Sequence, residues 1–173
     1  TMVQLISNNE IDLAFSFTPQ NMELAKSQNP KITTFSDQPP YGFMDWWPIS
    51  LAFNDSEAPF DNPDIRWAIS YSLDRDQIID VAFKGTTTAI KLPYPGYPGM
   101  APFMDSVSDL LEQYPTTEFN LDKAAELMTK NGYEKDGEGF WVKDGARVTF
   151  EIITFPQHPS TTPQAPVITE QLR

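Results

Sequence analysis

Residues 92–102 constrain the fold of this chain more than any other segment. They read LPYPGYPGMAP and hold four of the sixteen prolines together with two glycines. Proline fixes φ and lacks a backbone donor, so this density excludes a helix interior or a central strand. We therefore expect an ordered loop that displays Tyr94 and Tyr97. Both tyrosines are candidate ligand contacts, and packing of their rings on the surface of their own domain is the alternative.

Helix signals lie on both sides of this loop. Pro63 suits the first turn of a helix that Asn62 can cap. Asp74 restarts the helix, and Gln77 three residues later stands where a capping box requires it. Two short helices with a kink are therefore expected here. Further helices are expected over residues 2–6, 122–130 and 167–173.

Short strand signals complete an α/β pattern. Asp144-Gly145 lies between two apolar runs, which is a strong hairpin signal. Residues 19–40 are polar and interrupted by prolines, and we expect them to be connecting structure. The predicted fold class is α/β, a mixed sheet with flanking helices. The expected strands cover residues 13–15, 49–53, 140–142 and 148–153.

Charge and composition exclude several classes of protein. The chain has 24 acidic and 12 basic residues, and its net charge of −12 would repel nucleic acid. No apolar run approaches the roughly 20 residues that span a bilayer. Cysteine is absent, which removes thiolate nucleophiles, thiolate metal ligands and disulfides.

The sequence contains no motif typical of an enzyme active site. GxSxG, GxxxxGK[ST], HExxH and GxGxxG are all missing from it. His158 is the only histidine, and a lone histidine indicates neither a metal site nor acid–base catalysis. We expect no catalytic residue, no cofactor and no metal. A glycoside hydrolase fragment is the enzyme alternative, because tryptophans and carboxylates also characterise those sites.

The charged groups near these helices have structural explanations. Asp74 is explained as a helix cap, and Arg66 is expected to form an ion pair with Asp64 or Asp61. The acidic alternation over residues 136–139 lacks the oxygen-ligand run of an EF-hand loop. We expect a turn there.

Two long segments carry a family resemblance. Residues 58–85, APFDNPDIRWAISYSLDRDQIIDVAFKG, resemble the signature of solute-binding protein family 5. Residues 119–145, FNLDKAAELMTKNGYEKDGEGFWVKDG, resemble that family's next landmark, a helix followed by a hairpin. Upstream, LISNNEIDLAF is similar to the segment before the crossover between lobes, except that Asn9 stands where glycine is usual. The resemblance covers nearly the whole chain in the expected order.

The resemblance implies a two-lobed, type II periplasmic-binding-protein-like fold. Residues 1–40 would be the tail of the first lobe and the crossover, and residues 41–173 the second lobe, truncated at its C-terminus. The implied protein is monomeric, periplasmic or extracellular, and attached to the membrane through a lipid anchor if an N-terminal segment carries one. Its implied function is to capture oligopeptides and deliver them to an ABC permease. An oligosaccharide-binding member of the same family is the alternative.

Four further residues are candidate ligand contacts. Trp46 and Trp47, beside Asp45, precede the segment that resembles the crossover, where an exposed indole could stack on a sugar ring or an apolar side chain. Structural packing of both tryptophans is the alternative. Gln157 lies in a second proline-rich loop that could approach the cleft. With Tyr94 and Tyr97, these residues form the predicted site.

Overall fold

The computed structural model describes residues 1–15, 17–38, 41–42, 45, 48–155 and 161–173. Helices and one small sheet make up the regular structure, which confirms the predicted α/β class. The helices are α1 Met2–Ser7, α2 Pro19–Gln28, α3 Pro63–Tyr71, α4 Arg75–Phe83, α5 Ala101–Asp105, α6 Ser108–Gln113, α7 Leu121–Lys130 and α8 Ala165–Gln171, and the strands are β1 Glu134–Lys135, β2 Trp141–Lys143 and β3 Ala146–Arg147.

Helices α3 and α7 form the main core. Each starts at an asparagine whose side chain accepts a backbone N–H, Asn62 from Asp64 and Asn120 from Lys123. Apolar residues spaced three and four apart bury one face of each helix against the other. The buried cluster is Ile65, Ala68, Ile69, Ala124, Met128 and Tyr133.

A second, smaller core joins α4 to α8. Leu73, Ile78 and Ile168 are its buried members. The Asp74 side chain caps α4 by accepting from the backbone N of Gln77 at 3.0 Å, as predicted. Gln171 of α8 donates to Asp74 O and accepts from Asp74 N, both at 3.1 Å, so α8 is held against the start of α4.

The predicted hairpin at Asp144-Gly145 is confirmed. Asp144 has φ +53° and Gly145 has φ +79°, the pair of positive values that a two-residue type I′ turn requires. Strand β2 pairs antiparallel with both β1 and β3. This three-stranded sheet follows α7 directly and packs Trp141 against the main core.

The prediction of connecting structure over residues 19–40 is wrong in its first part, which forms α2. Thr18 caps this helix by accepting from the backbone N of Asn21 at 3.2 Å, and Pro19 occupies the first helical position. A capping residue followed by proline is a local helix signal, and the polar composition obscured it. Ala25 of α2 and Val3 of α1 are buried.

Three predicted strands lie outside the sheet. Residues 13–15, 49–53 and 148–153 have no strand partner in the described part of the chain, and the ladders found there are all antiparallel. The alternating pattern is still visible, because Leu51, Phe53, Val148 and Ile152 pack against the cores. A strand requires backbone partners as well as an alternating pattern. Val148 donates from its N to Trp141 O at 2.9 Å, a single bond beside the pairing of β2 with β3.

Candidate functional site

The loop predicted over residues 92–102 is present over residues 92–97. The last part of the prediction is wrong, because Pro98–Met100 form a 3₁₀ turn that leads into α5. Pro98 explains why the loop ends there: at the first position of a helical turn, the N–H that proline lacks would have no hydrogen-bond partner within the turn. Tyr97 donates from its backbone N to Pro95 O at 3.0 Å and accepts from Met100 N at 2.7 Å. Tyr94 and Tyr97 are each 37% exposed, so both remain accessible to a ligand.

Contacts outside the loop fasten it in place. Thr116 Oγ1 donates to Lys91 O at 2.7 Å at the base of the loop. In its middle, Met104 Sδ lies 3.1 Å from the point where a Cβ on Gly96 would stand. Pro95 is buried. The backbone that carries both tyrosines is therefore held by contacts with residues outside the loop.

Of the four remaining predicted ligand contacts, one lies within the described residues. Asp45 is described and exposed. Trp46, Trp47 and Gln157 lie outside the described residues, as does His158. Their roles remain predictions.

An aromatic cluster that the sequence analysis missed lies on the outer face of α3. The ring of Trp67 lies 5.5 Å from that of Tyr71 and 6.2 Å from that of Tyr114, with an interplanar angle of 25° to the latter. The Lys123 ammonium lies 5.4 Å from the centre of the Tyr71 ring. The i, i+4 spacing of Trp67 and Tyr71 could have indicated part of this cluster.

An open cavity of about 170 Å³ lies beside this aromatic cluster. Residues of α3 form one wall and Thr116 forms the other. The lining residues are Pro63, Arg66, Trp67, Ser70 and Thr116. The four lining residues of α3 lie on successive turns of the helix face opposite the core.

The prediction that Arg66 forms an ion pair with Asp64 or Asp61 is wrong. Its guanidinium donates to Phe60 O. Asp64 instead accepts from Lys130 Nζ at 2.9 Å and from Asn131 Nδ2 at 3.0 Å. Residues two apart on a helix point in different directions, so Arg66 and Asp64 serve different neighbours.

Arg75 closes the kink between α3 and α4. Its guanidinium donates to Ser70 O at 3.1 Å, Leu73 O at 3.2 Å and Ser70 Oγ at 2.9 Å. These carbonyls lie at or just after the end of α3, and Ser70 O also accepts from the backbone N of Leu73 at 3.3 Å. Burial lowers the pKa of Arg75. These contacts give Arg75 a structural role at the junction of the two helices.

The acidic segment at residues 136–139 is a turn, as predicted. Asp136 Oδ1 accepts from the backbone N of Glu138 at 2.9 Å and of Phe140 at 3.0 Å. Arg147 donates to Asp136 Oδ2 and Glu138 Oε2, both at 2.6 Å. Within the described ranges, no three acidic or histidine side chains gather in a way that could hold a metal ion. No helix of those ranges is long and apolar enough to cross a membrane.

Comparison with protein families gives one match over the whole chain. The profile of the bacterial extracellular solute-binding proteins, family 5 (middle part), matches residues 1–173.

Two characterised relatives match parts of the chain. Heme-binding protein A of Haemophilus influenzae is 33% identical over 100 residues, which are 57% of this chain and 17% of that protein. Glutathione-binding protein GsiB of Pectobacterium atrosepticum is 32% identical over 83 residues, 48% of this chain and 14% of that protein. The matched part thus spans less than a fifth of each relative.

A solved structure shares the fold. The periplasmic oligopeptide-binding protein of an ABC transporter from Thermotoga maritima, with mannohexaose bound, superposes with a TM-score of 0.74 and 21% identity. The superposition covers 98% of this chain and 31% of that protein. It therefore supports the fold of a periplasmic binding protein for nearly all of this chain.

Proposed function

Because the chain belongs to family 5 of the bacterial extracellular solute-binding proteins, we propose that it is part of the ligand-capturing component of an ABC importer for oligopeptides. The family match over residues 1–173 carries the proposal. Capture is a reversible closure of two lobes around the ligand, and it makes and breaks no covalent bond. Membership in a solute-binding family argues against the glycoside hydrolase alternative.

Residues 92–97, the tyrosine loop, are the part of the proposed site that the structure describes best. Tyr94 and Tyr97 offer ring faces and hydroxyls on a backbone fastened by Met104 and Thr116. A rigid loop with exposed aromatic side chains suits peptide side chains of different shape, because ring faces recognise apolar groups without fixed directionality. Asp45, Trp46, Trp47 and Gln157 complete the proposed set of ligand contacts.

The relatives favour different ligands, so oligosaccharide capture is the second proposal. The structural neighbour from Thermotoga maritima holds mannohexaose although it is described as oligopeptide-binding. Adjacent indoles at Trp46 and Trp47 would suit the faces of sugar rings.

The wider setting follows from the family. We propose a monomer that acts in the periplasm or outside the cell, held by a lipid anchor if the protein has one, and that delivers its ligand to an ABC permease. Residues 1–40 would belong to the first lobe and the crossover, and residues 41–173 to the second lobe.

Tryptophan fluorescence of the full-length protein tests the proposal. The protein is titrated separately with a pool of oligopeptides and a pool of manno-oligosaccharides, and so are the Trp46→Phe, Trp47→Phe and Tyr97→Phe variants. Saturable binding of peptides, weakened in at least one variant, is the expected result. Saturation by the sugars alone would replace the first proposal with the second, and hydrolysis of either pool would contradict both.

A further inference from the structure

Two half-buried arginine side chains are grouped around Ser70. Arg66 lies one turn before Ser70 on α3 and lines the same cavity. Arg75 donates to Ser70 Oγ at 2.9 Å. Neither arginine forms an ion pair with a carboxylate of the described residues.

The chain has acidic residues in excess, but those near this site serve other partners. Asp64 pairs with Lys130, Glu118 pairs with Lys123 at 2.8 Å, and Asp74 caps α4. Charges that are partly withdrawn from water are normally compensated by an opposite charge. The guanidinium of Arg66, which lines the cavity, and that of Arg75, which is bonded to Ser70, therefore lack the counter-charge that their burial favours.

The cavity offers hydrogen-bond donors and an apolar wall. Arg66 gives one amino group to Phe60 O, and its other N–H groups have no acceptor among the described residues. Ser70 Oγ accepts from Arg75, which leaves its own proton available to a ligand oxygen. The Trp67 ring forms the apolar wall.

We infer that this cavity binds a carboxylate carried on a ring or a short apolar stem. The guanidinium of Arg66 and the hydroxyl of Ser70 hydrogen-bond the carboxylate, Arg75 adds positive charge behind Ser70, and the stem lies against Trp67. A volume of about 170 Å³ admits one such group and not an extended oligomer. The carboxylate could belong to a free small acid or to the C-terminus of a peptide. The inference does not depend on the proposed function.

Benzoate is a suitable probe, with benzyl alcohol as its uncharged counterpart. Binding to the full-length protein is measured by calorimetry and by fluorescence, and Trp67→Phe identifies the part of the signal that comes from this indole. We expect benzoate to bind, benzyl alcohol to bind at least about tenfold more weakly, and added salt to weaken the binding of benzoate. Equal binding of the two probes, or no binding of benzoate, would overturn the inference.

Two substitutions separate binding from folding. Arg66→Gln should weaken benzoate binding by about tenfold or more, whereas Arg147→Gln, at a paired arginine of the hairpin, should leave it unchanged. Ser70→Asp places a carboxylate of the protein beside both arginines. It should abolish benzoate binding while thermal stability is kept, a result that unfolding cannot produce. Undiminished binding in both the Arg66 and Ser70 variants of the folded protein would refute the site.

A dipeptide then identifies the source of the carboxylate. Gly-Phe is compared with its C-terminal amide on the wild-type protein. Binding of the acid alone assigns the cavity to peptide C-termini. Binding of benzoate without either dipeptide assigns it to free small acids.

Discussion

Asn29 Nδ2 donates a hydrogen bond to Asn9 Oδ1 at 3.0 Å. Asn9 has φ +57°, in the left-handed region where the resemblance expects glycine, and asparagine tolerates this region better than most side chains. The same Asn29 side chain donates to Ser7 O and accepts from the backbone N of Lys31, both at 3.1 Å. One buried amide therefore joins the end of α1 to the end of α2.

A β-branched side chain at position 9 should destabilise this joint. We expect Asn9→Val to lower the free energy of unfolding by about 1–3 kcal/mol, because valine is strained at positive φ. Asn9→Gly is the control: it relieves the backbone and loses only the bond from Asn29, at a cost of about 0.5–1.5 kcal/mol. Denaturant unfolding measures both. Equal stability of the two variants would show that the backbone conformation at Asn9 is unimportant.

The hairpin turn allows a similar comparison between two glycines. Gly145 has φ +79°, whereas Gly137 lies outside the positive range, and an added Cβ would meet nothing within 4 Å at either position. Gly145→Val should therefore cost about 1–3 kcal/mol through backbone strain. Gly137→Val should cost clearly less. Thermal unfolding that ranks the two variants in the opposite order would contradict the turn assignment.

The hairpin turn and the bond between Asn29 and Asn9 differ in how far they could be predicted from the sequence. The caps at Asn62 and Asp74 and the turn at Asp144-Gly145 were predictable because each signal involves residues within a few positions of one another. The bond from Asn29 to Asn9 spans twenty residues, and no local pattern specifies it.

Interactions over longer distances explain the errors. The cap at Asn62 predicted where α3 starts, but Arg66 on that helix donates to a backbone carbonyl where an ion pair was expected. The cavity joins α3 to Thr116, so its existence depends on tertiary packing. Whether residues 49–53 and 148–153 pair as strands also depends on tertiary packing, because it requires another backbone beside them. Tyr94 and Tyr97 were correctly placed on a loop because proline density acts locally.

Acid should weaken the contact between α3 and the end of α7. Hydrogen bonds from Asn131 and then Lys130 lower the pKa of Asp64 below its ordinary value of 3.8. The folded pKa lies below the unfolded one, so this contact adds stability that is present above the unfolded pKa and lost as pH falls through the folded pKa. The side chain is solvent-accessible, so the contribution is about 1 kcal/mol or less.

Substitution of Asp64 tests this linkage. Asp64→Asn should be less stable than the wild type at neutral pH, and the difference should shrink below about pH 4, where the wild-type carboxylate becomes protonated. Asp12→Asn, at an exposed carboxylate that lies outside α3 and α7, serves as the control and should keep the wild-type profile. Urea unfolding at a series of pH values gives the comparison. A difference that is constant with pH would exclude Asp64 as its source.

The contact of Met104 with Gly96 should affect ligand affinity more than stability. Met104 supports the tyrosine loop from α5, and its Sδ lies 3.1 Å from the point where a Cβ on Gly96 would stand. In Met104→Ala the loop loses this support, and ligand binding must then order it. We expect affinity for the peptide pool to fall by about tenfold, the equivalent of immobilising one or two side chains.

Met104→Leu keeps most of the volume and should bind nearly as the wild type does. Phe103→Ala, at a residue of the same helix that is 62% exposed, controls for changes in α5 itself and should leave affinity unchanged. Calorimetric titration measures affinity, and thermal unfolding checks that all three variants remain folded. If Met104→Ala binds as tightly as the wild type, the loop is ordered without Met104; if Phe103→Ala loses as much affinity as Met104→Ala, the effect belongs to the helix and not to the contact with Gly96.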